Sequence, residues 1–344
     1  MRWVRPLLVA AVFLVPAGEA TAGKAKAPPV RRTVTVMTRN LYLGANLDPI
    51  VHATSPQGAF QAVAAAWAQV EANDFATRAN AIAAEIAHAK PDFVGFQELV
   101  LYGTKALTDE KYIVALDYKA ALTRAFRARH LRYHFVGVDA NTVAALPSGW
   151  PPTMDIQLTV RNGLLVRNGI MVRNVRAANY QLTFPLLAGL SAVRGWVSAD
   201  ATVGGKTFRV ITTHLESFDR VVAEEQAKEL IAGPARTRLP VVLLGDLNSR
   251  PDGSTSLAYP TFIGVGFHDA WTERYPNASG LTCCHGDDLR EVGDRFTERI
   301  DYVLTRGGFK ALRGAVTGEV SASRVGGLWP SDHGGLWMTL RLPR

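Results

Sequence analysis

Short apolar runs alternate along the chain with longer stretches in which apolar residues recur at helical spacing. The runs are rich in β-branched residues, which predicts strands. These predicted strands lie at 33–37, 93–96, 132–138, 155–160, 163–167, 169–174, 192–202, 207–213, 241–245, 300–304 and 336–341. Gly204-Gly205 predicts a hairpin turn between two of them.

Helices are predicted between these strands. The Ala-rich segment 57–72 predicts one helix, and Asn73-Asp74 can cap a second that runs to Lys90. Two more are predicted at 109–130 and 218–232, whereas 139–153, 249–260 and 276–298 are predicted to be loops or irregular. Because helices and strands are interspersed and hairpins occupy the centre, the pattern indicates one mixed domain over residues 33–344.

The first residues have the plan of a secretory signal peptide. A basic start precedes a short apolar core from Pro6 to Val15, and Ala20-Thr21-Ala22 supplies small residues for a cleavage site. We therefore expect residues 1–22 to be removed near Ala22 and residues 23–32 to form a disordered lead-in. The mature protein would then be secreted, to the periplasm or outside the cell. An uncleaved membrane anchor is the alternative.

The chain is basic, with 38 Lys and Arg against 30 Asp and Glu and a formal net charge of +8. A positive protein attracts anions such as nucleic acids and phospholipid head groups. The charge is spread along the sequence, so it also fits a simple role in solubility. Nothing in the pattern indicates an obligate protein partner.

The two cysteines, Cys283 and Cys284, are adjacent. Neighbouring Cα atoms lie about 3.8 Å apart across a trans peptide, which is shorter than the usual span of a disulfide. A bond between these neighbours and a pair of free thiols both remain open. A conventional disulfide framework is excluded by the number of cysteines.

Polar side chains follow several apolar runs at the point where each run ends. The run 241–245 is followed by Asp246 and Asn248, which would leave an extended backbone on the same side. Glu98, His214 and Asp301 stand at three other ends, and Asp332-His333 precedes the last strand. Each one alone has an ordinary structural explanation, but functional sites are often assembled in this way on rigid scaffolds.

Taken in order, these segments resemble the endonuclease/exonuclease/phosphatase superfamily, which includes DNase I-like nucleases, neutral sphingomyelinases and inositol phosphatases. The matching pieces span nearly the whole mature chain. They are Asn40, Gln97-Glu98, Thr213-His214-Leu215, Gly245-Asp246-Leu247-Asn248, Arg299-Ile300-Asp301 and Ser331-Asp332-His333. The resemblance implies an α+β fold, a four-layer α/β/β/α sandwich of two mostly antiparallel sheets flanked by helices.

The resemblance also implies roles for the matching residues. Glu98 would be the main ligand of Mg²⁺, with Asn40 beside it and Asp332 as a further ligand, and Mn²⁺ could substitute for Mg²⁺. Asp246 would orient or deprotonate the attacking water, and Asn248 would contact a phosphoryl oxygen. His214 would stabilise charge on the phosphate, with Asp155 as a candidate partner. His333, oriented by Asp301, would act as a general acid or base, or as a phosphate-stabilising cation.

The implied function is that of a secreted, Mg²⁺-dependent phosphodiesterase directed at nucleic acid or at phospholipid and sphingomyelin head groups. A phosphomonoesterase of inositol or other small phosphates and a non-catalytic binding protein are the alternatives. Loops 139–153 and 324–330, with Trp150 and Trp329, suggest peripheral membrane contact. Tyr42 replaces an acid found in some family nucleases, and helix 57–72 is interpreted as a packing elaboration, not as a substrate lid.

Overall fold

The computed structural model describes residues 31–186, 189–293 and 296–344. The predicted signal peptide, 1–22, and most of the predicted lead-in lie outside these residues. Residues Arg31–Arg344 form one compact unit. Within the described residues no helix is long and apolar enough to cross a membrane.

The strands, in chain order, are β1 Thr33–Asn40, β2 Phe93–Gln97, β3 Leu101–Ala106, β4 Ile113–Asp117, β5 Tyr133–Val138, β6 Val143–Ser148, β7 Met154–Thr159, β8 Gly163–Arg167, β9 Met171–Asn179, β10 Phe184–Pro185, β11 Ser191–Ala192, β12 Gly195–Val203, β13 Lys206–His214, β14 Val241–Asp246, β15 His268–Asp269, β16 Asp301–Arg306, β17 Lys310–Thr317 and β18 Gly335–Arg341. The helices are α1 Asp48–Val51, α2 Pro56–Ala72, α3 Phe75–Ala89, α4 Tyr118–Ala128, α5 Arg220–Ala232, α6 Ala258–Gly264 and α7 Ala270–Arg274.

Two six-stranded sheets dominate the fold. The first sheet has the order β17-β18-β1-β2-β8-β5, and the second has the order β15-β16-β14-β13-β12-β9. Each contains one parallel pair, β1 with β2 and β13 with β14, and the other neighbours run antiparallel. The expectation of two mostly antiparallel sheets is confirmed.

The sheets pack face to face and carry helices on their outer faces. Val36 and Phe93 of the first sheet share one buried cluster with Val210 and Leu244 of the second. A separate cluster joins the outer face of the first sheet to α2, α3 and α4, and a third joins the second sheet to α5 and α6. Burial of these apolar faces at about 25 cal/mol per Å² is the main stabilising contribution to the four layers. The predicted α/β/β/α sandwich is therefore confirmed.

Local sequence signals fix where the helices begin. The side chain of Asp74 accepts a hydrogen bond from the backbone N–H of Thr77, and Asp219 accepts from Val221 and Val222. Each of these caps satisfies N–H groups that have no partner within the helix. The sequence predicted the first of these caps and both helices.

The helix predicted at 109–130 is wrong in its first part. Residues Ile113–Asp117 form the edge strand β4, and the helix starts only at Tyr118. Asp117 explains the boundary, because its carboxylate accepts a hydrogen bond from the N–H of Lys119 and so caps α4. The loop predicted at 139–153 instead contains β6, and β3 and β17 were not predicted.

Strands β3, β4 and β6 form a third sheet with β7, which was predicted at 155–160; the order is β4-β3-β7-β6. Helix α2 packs beside β6. At the other edge, Ile113 and Val114 of β4 are 71% and 68% exposed. The edge strand β6 of the third sheet is therefore sheltered by α2, whereas the other edge strand, β4, exposes apolar side chains to solvent.

A close approach between the two large sheets lies beneath the strand ends. A Cβ atom at Gly95 would come within 2.5 Å of the Thr212 hydroxyl of the opposing sheet. The Gln97 amide lies beside this contact, donating to the Thr212 hydroxyl at 3.0 Å and accepting from Thr38 at 3.1 Å. Glycine at 95 thus allows a polar bridge to join the sheets directly below the candidate site.

Candidate active site

The polar residues at the strand ends lie together at one end of the two large sheets. In the second sheet, Asp246 at the end of β14 stands in register with His214 at the end of β13. On its other side it is in register with Asp301 at the start of the antiparallel strand β16. The ladder of backbone hydrogen bonds therefore sets the spacing of three candidate residues.

Asp246 is the centre of this arrangement. One of its carboxylate oxygens, Oδ2, lies 3.5 Å from His214 Nε2 and 3.8 Å from His333 Nε2. The same oxygen accepts a hydrogen bond from the amide of Asn40 at 3.0 Å. Burial, reinforced by the nearby Asp301 carboxylate, raises the pKa of Asp246 to about 7. A carboxylate with this pKa can accept a proton near neutral pH.

His333 and Asp301 form a buried pair, as the sequence predicted. His333 Nδ1 lies 2.8 Å from Asp301 Oδ2, so Nε2 is the ring nitrogen that faces Asp246. Burial lowers the pKa of His333, but the carboxylates of Asp301 and Asp332 outweigh it and hold that pKa well above its ordinary value. His333 is therefore positioned as a cation next to the central carboxylate.

His214 has a different partner from the one predicted. Arg194, one residue before β12, places its guanidinium 3.1 Å from His214 Nδ1 and also pairs with Glu216 at 3.3 Å. Burial, together with the charge of Arg194, holds the pKa of His214 well below its ordinary value. The candidate partner Asp155 is wrong, because this residue lies on β7 and pairs with Lys105 at 3.3 Å.

Asn248 does not share an extended strand with Asp246. The strand ends at Asp246, and Asn248 has a φ of 47°, in the left-handed region that asparagine tolerates better than most residues. Its backbone N–H donates to Asp246 Oδ1 at 3.0 Å, and its side chain donates to the carbonyl of Leu215 at 2.9 Å. The premise of an i, i+2 pair is wrong here, and Asn248 braces the Asp246 carboxylate through the turn.

Asn40 faces two carboxylates with its amino group. Its Nδ2 donates to Asp246 at 3.0 Å and lies 3.4 Å from Glu98 Oε1. Its Oδ1, the atom that a cation would bind, accepts the backbone N–H of Tyr42 at 2.9 Å. The structure thus shows Asn40 as a hydrogen-bond donor that links the carboxylates, and its ligation of a cation stays a prediction.

Glu98, directly after β2, and Asp332, in the loop before β18, add two half-buried carboxyl groups. Glu98 accepts the N–H of Leu43 at 2.6 Å, and Asp332 accepts the hydroxyl of Ser331 at 3.2 Å. Burial raises the pKa of both groups, and the charge of Asp332 adds to the effect on Glu98. The two predicted ligands therefore lie in one electrostatic environment.

The donor set fits a hard divalent cation. Several carboxylates are buried close together, and among the described residues Asp301 Oδ1 is a buried oxygen with no hydrogen-bond partner. Asp246, Asp301 and His333 also bring one ligand atom each within 4.8 Å of one another. Mg²⁺ favours oxygen ligands, whereas a charged imidazole has no free lone pair for a metal. With His333 protonated, this cluster offers a cation only carboxylate oxygens, and ligation by Glu98 and Asp332 stays a prediction.

A disulfide between Cys283 and Cys284 borders the site. Cys283 is buried, with its Sγ 3.6 Å from His333 Nε2. Cys284 lines the same cavity as Glu98, Arg194 and Asp332. The structure thus selects the bonded pair over two free thiols. The loop that carries these cysteines, predicted as irregular, packs directly on His333.

One site residue, Arg194, escaped the sequence analysis. It stands before the strand β12 and does not follow an apolar run. Trp329, expected at a membrane interface, is instead buried and stacks on His285. Trp150 is 53% exposed, as that expectation requires.

Comparison with known proteins agrees with this arrangement. The sequence profile of the Endonuclease/Exonuclease/phosphatase family matches residues 67–333, which include every candidate residue except Asn40. A comparison with curated proteins gives no significant match. The fold and the family together define a hydrolase of phosphate esters with a DNase I-like architecture. The chain belongs to the endonuclease/exonuclease/phosphatase family.

Solved structures with the same fold are distant in sequence. A family protein from Bacteroides thetaiotaomicron is 15% identical, with a TM-score of 0.57 over 91% of this chain and 98% of its own. A mannosyl-6-phosphatase from the same organism is 16% identical, with a TM-score of 0.53 over 90% of this chain and 100% of its own. TDP2 from D. rerio, in complex with a single-strand DNA product, is also 16% identical, with a TM-score of 0.53 over 90% and 99% of the two chains. At these identities the likeness concerns the fold alone.

Proposed function

We propose that this protein is a secreted, Mg²⁺-dependent phosphodiesterase. The observation that carries the proposal is the position of the Asp246 carboxylate between two imidazoles, with Asp301 behind one of them. A base and a neighbouring cation in one buried site are what hydrolysis of a phosphate ester requires.

Asp246 would act on the attacking water, and His333 would act on the phosphate. Asp246, whose pKa is about 7, would take a proton from the attacking water, braced by Asn40 and Asn248. His333, held protonated by Asp301, would stabilise negative charge on the phosphoryl group or donate a proton to the leaving oxygen. At pH 7 about half of the Asp246 carboxyl groups would then be ionised and able to act as a base, while His333 stays protonated.

His214 and Arg194 would bind the phosphoryl oxygens. Because its pKa is lowered, His214 is neutral and offers an N–H without charge, while the adjacent guanidinium supplies the positive charge. This assigns Arg194 a part of the charge stabilisation that the resemblance gave to His214. The side-chain amide of Asn248 already donates one N–H to the carbonyl of Leu215. Asn248 would therefore contact the phosphate only through its second side-chain N–H.

Glu98 and Asp332 would hold the cation, with Asn40 beside them. Bound Mg²⁺ would neutralise charge on the phosphoryl and leaving oxygens. Burial raises the pKa of both carboxyl groups, and a bound cation would favour their ionised forms. Mn²⁺ would substitute, because it accepts the same oxygen ligands.

The class of diester is the finer part of the proposal. The basic charge suits nucleic acid, and the name of the D. rerio relative refers to a DNA product. The name of the Bacteroides relative refers to a sugar phosphatase, which keeps a monoester as the alternative substrate. Exposed Ile113, Val114 and Trp150 favour a lipid surface and peripheral membrane contact.

The test is a panel of plasmid DNA, RNA, sphingomyelin and inositol phosphates assayed with Mg²⁺, together with bis-p-nitrophenyl phosphate. We expect Asp246→Ala and His333→Ala each to lower kcat at least about a thousandfold, while circular dichroism stays unchanged. Near-normal kcat in either variant would remove that residue from the mechanism. Wild-type protein that turns over no phosphate ester would instead support a non-catalytic binding protein.

Secretion is tested separately. We expect the exported protein to begin close to Gly23 when its N-terminus is sequenced after expression in a bacterial host. An N-terminus at Met1 in the membrane fraction would support an uncleaved anchor.

A further inference from the structure

A cavity of about 510 Å³ opens beside the candidate active site. Its walls come from helices α1 and α2 on one side and from strands β6 and β7 of the third sheet on the other. Glu98, Arg194 and Asp332 are among its lining residues, so the cavity is continuous with the site that would hold the phosphate. Its volume is typical of cavities that bind small molecules.

Most of the other residues that line the cavity are apolar. They include Val63 and Trp67 of α2 together with Leu146, Ile156 and Leu158 of the third sheet. Close packing is the rule in protein interiors, and an apolar concavity of this size therefore leaves hydrophobic surface uncovered. A ligand that fills it would recover the transfer free energy of that surface.

Two polar groups in the lining already have partners inside the protein. The Thr142 hydroxyl donates to the carbonyl of Val193 at 3.1 Å and accepts its N–H at 2.8 Å. The Asn46 amide donates to Asp287 at 3.0 Å. A nucleobase in this cavity would leave several of its donors and acceptors unpaired, which costs about 1–3 kcal/mol for each group. An aliphatic chain has no such groups.

We propose that the cavity binds an aliphatic chain of the substrate, so that the enzyme acts on lipid-like phosphodiesters. This inference rests on the proposed function, because it takes the phosphate to lie at Glu98, Arg194 and Asp332. Helix α2 then has a second role besides packing: it forms one wall of the chain-binding cavity. The third sheet forms the opposite wall.

The first experiment measures how kcat/KM depends on chain length. The substrates are methyl, butyl and octyl p-nitrophenyl phosphate, used below their micelle concentrations with Mg²⁺. A buried methylene contributes about 0.8 kcal/mol, and we therefore expect kcat/KM to rise up to about fourfold for each methylene. Equal kcat/KM for the methyl and octyl esters would overturn the inference.

Matched substitutions test the location of the chain. Ala66 on α2 and Ala144 on β6 line the cavity, whereas Ala65 and Ala145, one residue away on the same elements, are exposed to solvent. We expect Ala66→Phe and Ala144→Phe to reduce the octyl-to-methyl ratio of kcat/KM at least tenfold. Ala65→Phe and Ala145→Phe should keep the wild-type ratio. Equal ratios within both pairs would overturn the assignment.

A binding measurement separates this inference from the proposed function and does not depend on variants that fold. N-phenyl-1-naphthylamine fluoresces in apolar cavities, and we expect octyl phosphate to displace it from the wild-type protein at least tenfold more effectively than ethyl phosphate or a dinucleotide. Displacement without turnover of any ester would refute the catalytic proposal and leave the cavity inference intact. Turnover with no displacement, or equal displacement by the dinucleotide, would refute the cavity inference alone.

Discussion

Substitution of Asp301 by asparagine is the sharpest test of the buried pair with His333. The change keeps the size of the side chain and removes its charge. His333 Nδ1 then loses a carboxylate 2.8 Å away, while Asp246 and Asp332 remain as its acidic neighbours. Because Asp301 is completely buried, solvent screens this interaction little.

The size of the effect follows from the separation of the charges. Imidazolium and carboxylate charges are delocalised, and their centres lie about 4 Å apart when the two groups share a hydrogen bond. At an effective dielectric constant of about 20 this corresponds to about 4 kcal/mol, or about three pKa units. We therefore expect the pKa of His333 to fall by about three units in Asp301→Asn.

The assay is kcat for bis-p-nitrophenyl phosphate with saturating Mg²⁺ from pH 5 to pH 10. Asp246 acts as a base and His333 as a cation, so activity should rise as pH passes the pKa of Asp246, about 7, and should disappear as pH rises through the pKa of His333. In Asp301→Asn this alkaline fall should move to lower pH by about three units. Asp200→Asn is the control, since Asp200 is a similarly sheltered carboxylate that pairs with Arg209.

Two results would contradict this reasoning. An alkaline fall that stays within about half a unit of the wild-type position would mean that Asp301 does not set the charge of His333. The same shift in Asp200→Asn would mean that loss of any buried carboxylate has this effect, whatever its position in the fold.

Three further predictions concern the cation, the guanidinium and stability. EDTA should abolish activity, Mg²⁺ or Mn²⁺ should restore it, and Glu98→Gln should raise the half-saturating Mg²⁺ concentration at least about tenfold; EDTA-resistant turnover would contradict the role of Glu98. Arg194→Lys should lower kcat/KM about tenfold, because an ammonium cannot pair with His214 and Glu216 together; an unchanged value would exclude Arg194 from phosphate binding. Burial raises the pKa of Asp139 from 3.8 to about 6. The free energy of unfolding should therefore fall by about 3 kcal/mol as pH rises from about 4 to above 6. Asp139→Asn should remove that loss in urea unfolding, and parallel stability curves for the two proteins would refute it.

Much of the site could be predicted because its residues follow apolar runs. Asp246 and His214 stand where buried strands end, Asp301 stands where a buried strand begins, and the register between these strands brings the three together. The pairing of His333 with Asp301 came from the resemblance, and the structure shows it as a direct contact. For these residues a local sequence pattern and the family's order of segments were sufficient to predict the site.

The remaining features depend on tertiary contacts that no local pattern records. Asn248 follows the strand in sequence, yet its left-handed backbone turns it toward Leu215. Arg194 reaches His214 only because β12 pairs with β13. Of the third sheet only β7 was predicted, at 155–160; β4 lies in the segment predicted to start a helix, β6 lies in a predicted loop, and β3 was not predicted. Consequently the apolar cavity, which that sheet helps to form, could not be anticipated.

The candidate site is divided between the two large sheets. Asn40 and Glu98 come from one, His214, Asp246 and Asp301 come from the other, and the contact between Gly95 and Thr212 fixes their approach. A chain whose sheets have formed but not docked would contain every one of these residues and no active centre. Recovery of activity during refolding therefore reports the moment at which the two layers meet, a step that spectroscopic measures of strand content would not detect.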